Sequence, residues 1–289
     1  MQFCQARIVF AVLFLMMVGC QTKTTPHILS SDGVQVAFEV KGVGETAIVF
    51  VHGWGGNRTI WNIQQEHFAS KYKVVTIDLP GFGQSGSNRK IWTIPQFGDD
   101  VLSVIRALDL RQVILVGHSM GADVVVEAAK QLASRLVIVV PVDMFQNIES
   151  VRTTSEIEQF IEGAMAMAEN PSIEQFRSMF VRNISDSTLK EIVDGYRDSP
   201  KNGWRKSLEA HFDWANDNMI GSLQSVPCPI HCINSDRRPT DMVIAKKHLA
   251  MFDASIINGV GHAIMIEAPD EFSATLEKII QKALQNRQQ

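Results

Sequence analysis

The chain has 289 residues, of which 45% are hydrophobic and 20% are charged, so it can bury the core of one large domain or of two small ones. Its formal net charge of −4 arises from 27 basic and 31 acidic side chains, and the lysines and arginines are scattered singly along the chain. Such a distribution gives no basic stretch for a phosphate backbone, which excludes nucleic acid as an expected partner.

The N-terminal segment is predicted to lie outside the folded domain. An apolar run at residues 8–18 is shorter than the about 20 residues that a spanning helix needs, and it is typical of a secretory signal. The run ends in Met17-Val18-Gly19-Cys20, which resembles a bacterial lipobox, in which the cysteine is lipidated. We therefore expect a signal peptide at 1–19, lipid on Cys20, a linker at 20–27 and attachment to a membrane of the cell envelope. A plain signal peptide with a chance cysteine and an uncleaved anchor are the alternatives.

From residue 28 onward, short β-branched runs alternate with segments of helical periodicity. Several of the short runs are apolar throughout, as in strands that are covered on both faces of a mostly parallel sheet. Strands are predicted at 34–40, 47–51, 73–77, 113–116, 136–140, 230–233 and 255–258. Helices are predicted at 60–70, 95–108, 120–133, 241–251 and 269–284. This alternation predicts an α/β fold with helices flanking the sheet.

The alternation stops in the middle of the chain, where only helical patterns occur. Amphipathic segments are found at 156–169, 173–180, 187–196 and 204–214, separated by Ser, Asn, Asp or Pro. We interpret residues 144–226 as a helical cap. The cap is inserted into a core formed by residues 28–143 and 227–289.

A Gly-x-Ser-x-Gly motif at residues 117–121 is the most informative stretch of the chain. It lies between an apolar strand-like run and a helix-like run. A serine at the tip of a tight strand-to-helix turn needs small residues two positions away on either side, and glycine fills both places. The context predicts that Ser119 is a nucleophile.

A nucleophilic serine needs a base and an acid that orients the base. His262 follows the last predicted strand in a glycine-rich loop, and an imidazole can accept the serine proton near neutral pH and return it. Two aspartates follow strands in the required order, Asp236 and Asp143. Asp236 is preferred because it lies in a turn-rich segment just past a strand, and Asp143 is the alternative acid.

Donors for an oxyanion are expected from two backbone N–H groups. One belongs to Trp54, in the glycine-rich turn at residues 52–56 that follows a predicted strand. The other belongs to Met120, directly after the serine.

No metal or organic cofactor is expected. Cys228 and Cys232 lie four residues apart in the apolar run 227–233. If that run is extended as a strand, they are about 13 Å apart, too far for a disulfide, and His231 points to the opposite face. We therefore expect both cysteines to be buried, inert thiols. Residues 81–86 match the glycine pattern of a dinucleotide-binding loop, but no helix follows them directly, so the pattern lacks its required context.

Taken together, the motifs resemble the α/β-hydrolase superfamily over about residues 28–284. They are His52-Gly53-Trp54-Gly55, the stretch 78–85, the serine motif and Gly261-His262. The resemblance implies an eight-stranded sheet, a helical cap after the sixth strand and hydrolysis through an acyl-serine intermediate. The expected substrate is a small ester-like molecule; thioesters, lactones, amides and carbon–carbon bonds are alternatives on the same triad. A non-catalytic binding lipoprotein is the alternative from another class.

Overall fold

The computed structural model describes residues 25–288, which form one eight-stranded sheet flanked by helices. The strands are β1 (His27–Leu29), β2 (Gln35–Lys41), β3 (Thr46–Val51), β4 (Lys73–Ile77), β5 (Gln112–His118), β6 (Leu136–Val142), β7 (Ile230–Ser235) and β8 (Phe252–Ile257). The helices are α1 (Asn62–Phe68), α2 (Ile94–Ala107), α3 (Met120–Ala129), α4 (Thr154–Glu169), α5 (Ile173–Met179), α6 (Asp186–Asp198), α7 (Trp204–Asp217), α8 (Met219–Gln224), α9 (Met242–His248), α10 (Ile264–Glu267) and α11 (Pro269–Gln288). Two short 3₁₀ helices occur at Arg58–Trp61 and Ala133–Arg135.

The sheet order is β1-β2-β4-β3-β5-β6-β7-β8. Strands β3 to β8 run parallel to one another, whereas β2 is antiparallel to both of its neighbours, β1 and β4. The parallel strands therefore end at one edge of the sheet, and the loops that follow β3, β5, β6 and β8 meet there. This carboxyl edge is where such sheets place ligands.

The central strands are apolar because helices cover both faces of the sheet. Every residue of β6 is buried, and in β5 only the first residue is partly exposed. Two hydrophobic clusters result, one on each face, which include Val49 and Leu115 on one side and Phe50 and Val116 on the other. Because successive side chains along a strand point to opposite faces of the sheet, each central strand contributes to both clusters.

Five helices, α4 to α8, occupy the chain between β6 and β7. Capping boxes at Thr153 and Ser172 define the starts of α4 and α5. Each of these side chains accepts the amide of the third helical residue, and the side chain of that residue accepts the backbone amide of Thr153 or Ser172 in return. The predicted boundaries of the cap and core stay predictions, whereas the all-helical character of this region is observed.

The fold class predicted from the sequence is confirmed, and the differences concern short elements. Strand β1 has three residues and α10 has four, too few for a periodic pattern. Cys228 and Cys232 are free and buried, and burial raises the pKa of Cys228 to about 12.

The predicted signal peptide at 1–19 and the lipidation site at Cys20 lie outside the described residues, as does most of the linker. Within residues 25–288, no helix is both long enough and apolar enough to cross a membrane.

Candidate active site

Ser119 occupies a sharp turn between β5 and α3. Its backbone has φ 52° and ψ −127°, a conformation that residues other than glycine rarely adopt. A Cβ atom on Gly117 would lie 2.2 Å from the carbonyl oxygen of Gly121, and one on Gly121 would lie 2.5 Å from that of His52. The turn therefore requires glycine at both places, as the motif predicts.

The loop after β3 packs directly against this turn. A Cβ atom on Gly53 would come within 2.9 Å of the Cβ of Ser119. The fully buried His52 holds the loop, because its Nδ1–H donates to the Gly53 carbonyl (2.7 Å) and its Nε2 accepts the amide of Leu79 (3.0 Å). Burial lowers the pKa of His52, consistent with this neutral tautomer.

The two predicted oxyanion donors occupy the expected elements. Met120 is the first residue of α3, so its N–H has no acceptor within the helix. Trp54 lies one residue beyond the glycine that contacts the serine. Its indole Nε1–H donates to the carbonyl of Trp204 in α7 at 2.9 Å, so a helix between β6 and β7 holds this loop in place.

His262 is paired with Asp143. The histidine Nδ1 lies 2.7 Å from Asp143 Oδ2, and the other carboxylate oxygen accepts the amide (2.9 Å) and hydroxyl (2.8 Å) of Ser235. Burial alone would raise the pKa of Asp143, but the hydrogen bonds from His262 and Ser235 outweigh it and hold the pKa below its ordinary value. An ionised Asp143 fixes the proton on Nδ1 of His262 and leaves Nε2 free to act as a base.

The preference for Asp236 as the partner of His262 is wrong, and the alternative, Asp143, makes the contact. Asp236 is exposed, and its carboxylate accepts the amide of Gly259 (3.0 Å) in the turn after β8. Strand β6 ends at Val142, and the Asp143 amide donates to the carbonyl of Ile233 in the neighbouring strand. This places Asp143 at the sheet edge, where its carboxylate meets the histidine loop.

His118 is a residue of this site that the sequence did not single out. Its Nε2–H donates to the carbonyl oxygen of His262 (2.9 Å), and the two rings lie 4.6 Å apart. Burial, together with the nearby charge of His262, lowers the pKa of His118 to about 3. A neutral His118 therefore ties the loop that carries His262 to the turn that carries Ser119.

Glu267, the last residue of α10, contacts the histidine loop. Its carboxylate is largely buried and accepts the amide of Gly261 (2.8 Å), next to His262. The other oxygen accepts the amides of Val181 (2.8 Å) and Arg182 (2.9 Å), which lie between α5 and α6. One side chain thus joins the loop after β8 to the helical region above the sheet.

No group of three or more His, Cys, Asp or Glu side chains suited to hold a metal ion occurs within residues 25–288.

Comparisons with known proteins assign the chain to a family. Residues 48–275 match the family described as "Alpha/beta hydrolase family". An uncharacterised protein of Mycobacterium tuberculosis is 25% identical over 86% of this chain and 79% of its own length. An (E)-2-((N-methylformamido)methylene)succinate hydrolase of Acinetobacter baylyi is 25% identical over 86% of this chain and 95% of its own. The structure of a thermophilic esterase from Thermogutta terrifontis has a TM-score of 0.74 at 20% identity, covering 90% of this chain and 99% of its own.

The chain belongs to the alpha/beta hydrolase family, since the match spans most of its length. Together with the relatives that carry hydrolase names, this membership supports a general hydrolase activity.

We expect His118 to stay neutral, with its proton on Nε2, between pH 8 and pH 5, because burial and the His262 charge lower its pKa. Imidazole ¹⁵N chemical shifts, assigned by comparison with His118→Gln, measure this directly. A titration midpoint above pH 5 for His118 would contradict the expectation.

Proposed function

We propose that the protein is a serine hydrolase that cleaves an ester-like bond of a small molecule through an acyl-serine intermediate. The observation that carries the proposal is the His262–Asp143 pair, held at the same sheet edge as the strained turn of Ser119. A serine, a histidine and a carboxylate that orients the histidine are the residue types that nucleophilic serine catalysis requires.

In the first half-reaction, Ser119 Oγ attacks the carbonyl carbon while Nε2 of His262 takes the hydroxyl proton. The tetrahedral intermediate carries a negative oxygen, which the N–H groups of Trp54 and Met120 stabilise; each such donor commonly contributes about 3 kcal/mol. The intermediate then expels the alcohol, which receives the proton from His262. Asp143 stays ionised and stabilises the imidazolium without taking its proton.

In the second half-reaction, water attacks the acyl-serine. His262 again acts as the base, and the acid product leaves as Ser119 regains its proton. The A. baylyi hydrolase and the T. terrifontis esterase support this class of reaction for the chain, and neither specifies its substrate.

We expect Ser119→Ala to lower kcat/KM for a short-chain p-nitrophenyl ester by at least about 10³-fold, because the nucleophile is removed. A fluorophosphonate probe should label the full-length protein on Ser119, as located by peptide mass spectrometry. Ser31→Ala, which changes an exposed serine, should label like the wild type. If the folded wild-type protein is not labelled, this result would contradict the proposal and favour a non-catalytic binding function.

We expect Asp143→Asn to lower kcat by about 10³–10⁴-fold, since an amide no longer fixes the His262 tautomer. Asp236→Asn is the matched control and should retain activity within about threefold, because this carboxylate contacts a turn and not the histidine. Circular dichroism confirms folding of both variants. The opposite ranking would restore Asp236 as the acid.

We also propose that Cys20 is lipidated and anchors the protein in the cell envelope. The support is the sequence itself: an apolar run at 8–18 that ends before Gly19-Cys20. Several acyl chains on one cysteine would anchor the chain stably, where one chain would not.

Mass spectrometry of the N-terminal peptide from the membrane fraction should therefore show Cys20 as the first residue, with lipid attached. Cys20→Ser should abolish the lipid adduct. An unmodified Cys20, or a chain that retains residues 1–19, would exclude this form of anchoring.

A further inference from the structure

The loop that carries His262 contains little that could fix its own shape. It lies between the end of β8 at Ile257 and the start of α10 at Ile264, and it includes two glycines, Gly259 and Gly261. Gly259 has φ 66°, a left-handed conformation that glycine adopts at little cost. The His262 side chain is 41% exposed, so packing alone does not hold the base. Its position therefore depends on hydrogen bonds that other parts of the chain make to this loop.

Arg182, in the segment between α5 and α6, bonds two consecutive carbonyl groups of this loop. Its Nη2–H donates to the carbonyl oxygen of Asn258 at 3.0 Å, and its Nε–H donates to that of Gly259 at 3.1 Å. Because a guanidinium presents its donors in a fixed planar fork, the two bonds together set the orientation of the peptide as well as its position. Nη2 also lies 3.4 Å from a carboxylate oxygen of Glu271 on α11, which further restrains the guanidinium.

The carboxylate of Glu267 bonds both the loop and the segment that supplies Arg182. One oxygen accepts the amide of Gly261 at 2.8 Å, and the other accepts the amides of Val181 (2.8 Å) and Arg182 (2.9 Å). A Cβ atom on Gly261 would lie 3.2 Å from the carbonyl oxygen of Met179, so the segment packs directly onto the loop. Residues 179–182, Glu267 and the loop thus form one hydrogen-bonded unit.

The other contacts of His262 come from the core. Asp143 accepts the Nδ1–H of the ring, and His118 donates to the carbonyl oxygen of His262. Arg182 and Glu267 instead hold the residues that precede the base, through bonds to the backbone of the loop. A displacement of a catalytic group by about 1 Å can lower a rate by about 100-fold, so these bonds bear on the reaction although they do not reach the imidazole.

We propose that Arg182 is a positioning residue for the base, and that residues 179–182 of the helical region are therefore required to assemble the active site. The proposal rests on the proposed hydrolase function and deepens it by naming what regulates the same site. The base is in place only while this segment stays bonded to the loop after β8. Movement of the segment away from the core releases the loop and lowers the rate.

The test replaces Arg182 in the full-length protein and measures hydrolysis of p-nitrophenyl butyrate. Arg182→Gln removes the fork, and we expect kcat to fall at least about tenfold while KM stays within about twofold, because the ester still binds but the base is displaced. Arg182→Lys has one donor nitrogen in place of the fork and should restore only part of kcat.

Arg197→Gln is the matched control. This arginine lies on α6 and donates to the carbonyl oxygen of Pro171 (3.2 Å), a contact within the helical region. We expect its kcat to stay within about twofold of the wild type. Circular dichroism and thermal unfolding confirm that the variants are folded.

Imidazole ¹⁵N chemical shifts separate positioning from a purely structural role. The shifts of His262, assigned by comparison with His262→Gln, report how much of the ring carries its proton on Nδ1, where Asp143 holds it. We expect Arg182→Gln to lower this share and Arg197→Gln to leave it unchanged. An unchanged kcat in Arg182→Gln, or a lowered kcat with unchanged shifts, would overturn the positioning role.

Fluorophosphonate labelling of the wild type distinguishes this failure from failure of the proposed function. A wild-type protein that is labelled on Ser119, beside an Arg182→Gln variant with wild-type kcat, rejects the positioning role alone. A folded wild-type protein that is not labelled and hydrolyses no ester rejects both proposals.

Discussion

The turn at Ser119 imposes the closest packing in the proposed site. Its left-handed backbone carries the chain from β5 into α3 within one residue, and Gly117 and Gly121 leave no space for a Cβ atom. Gly53 allows the loop after β3 to lie against the serine. Strain of this kind persists only where surrounding structure enforces it, here by β6, which is fully buried, and β3, of which only the first residue is partly exposed.

The second constraint on the proposed site is the position at which neighbouring parallel strands end, because it places Asp143. Asp143 also has a positive φ, 51°, and it is held there by bonds to the end of β7. With both carboxylate oxygens engaged, the acid cannot rotate away from His262. Residues from four loops thus converge because the parallel strands end at one edge of the sheet. Hydrogen bonds between neighbouring strands fix the positions of these residues.

The helices between β6 and β7 do more than cover the sheet. Trp204 accepts the indole N–H of Trp54 and donates its own to the carbonyl of Gly81, so α7 contacts two loops of the core. His211 of α7 lies 2.5 Å from the buried Asp123, one turn after Ser119 in α3. Through Glu267 the same region is joined to the histidine loop, so it is linked to the Trp54 loop, to α3 and to the loop of His262.

Local patterns were sufficient to predict much of this protein. The apolar runs identified the central strands, and the glycine spacing around Ser119 identified the turn, because both depend on near neighbours in the chain. His262 was predicted in the same way, from a glycine-rich loop after a strand. Short elements such as β1 could not be predicted, because three residues are too few to show a periodic pattern.

The choice of acid could not be made from the sequence. Asp143 and Asp236 both follow buried strands in the right order, and only the paired ends of β6 and β7 decide which carboxylate reaches His262. The role of His118 was hidden for the same reason, since its partner lies 144 residues away. The contacts of Glu267 with Val181 and Arg182 were hidden too, because these residues lie 86 and 85 residues away. The sequence by itself determined the central strands, the turn at Ser119 and the order of the candidate residues along the chain. The tertiary structure decided which distant groups touch, because hydrogen bonds across strands and loops depend on register, which no local pattern contains.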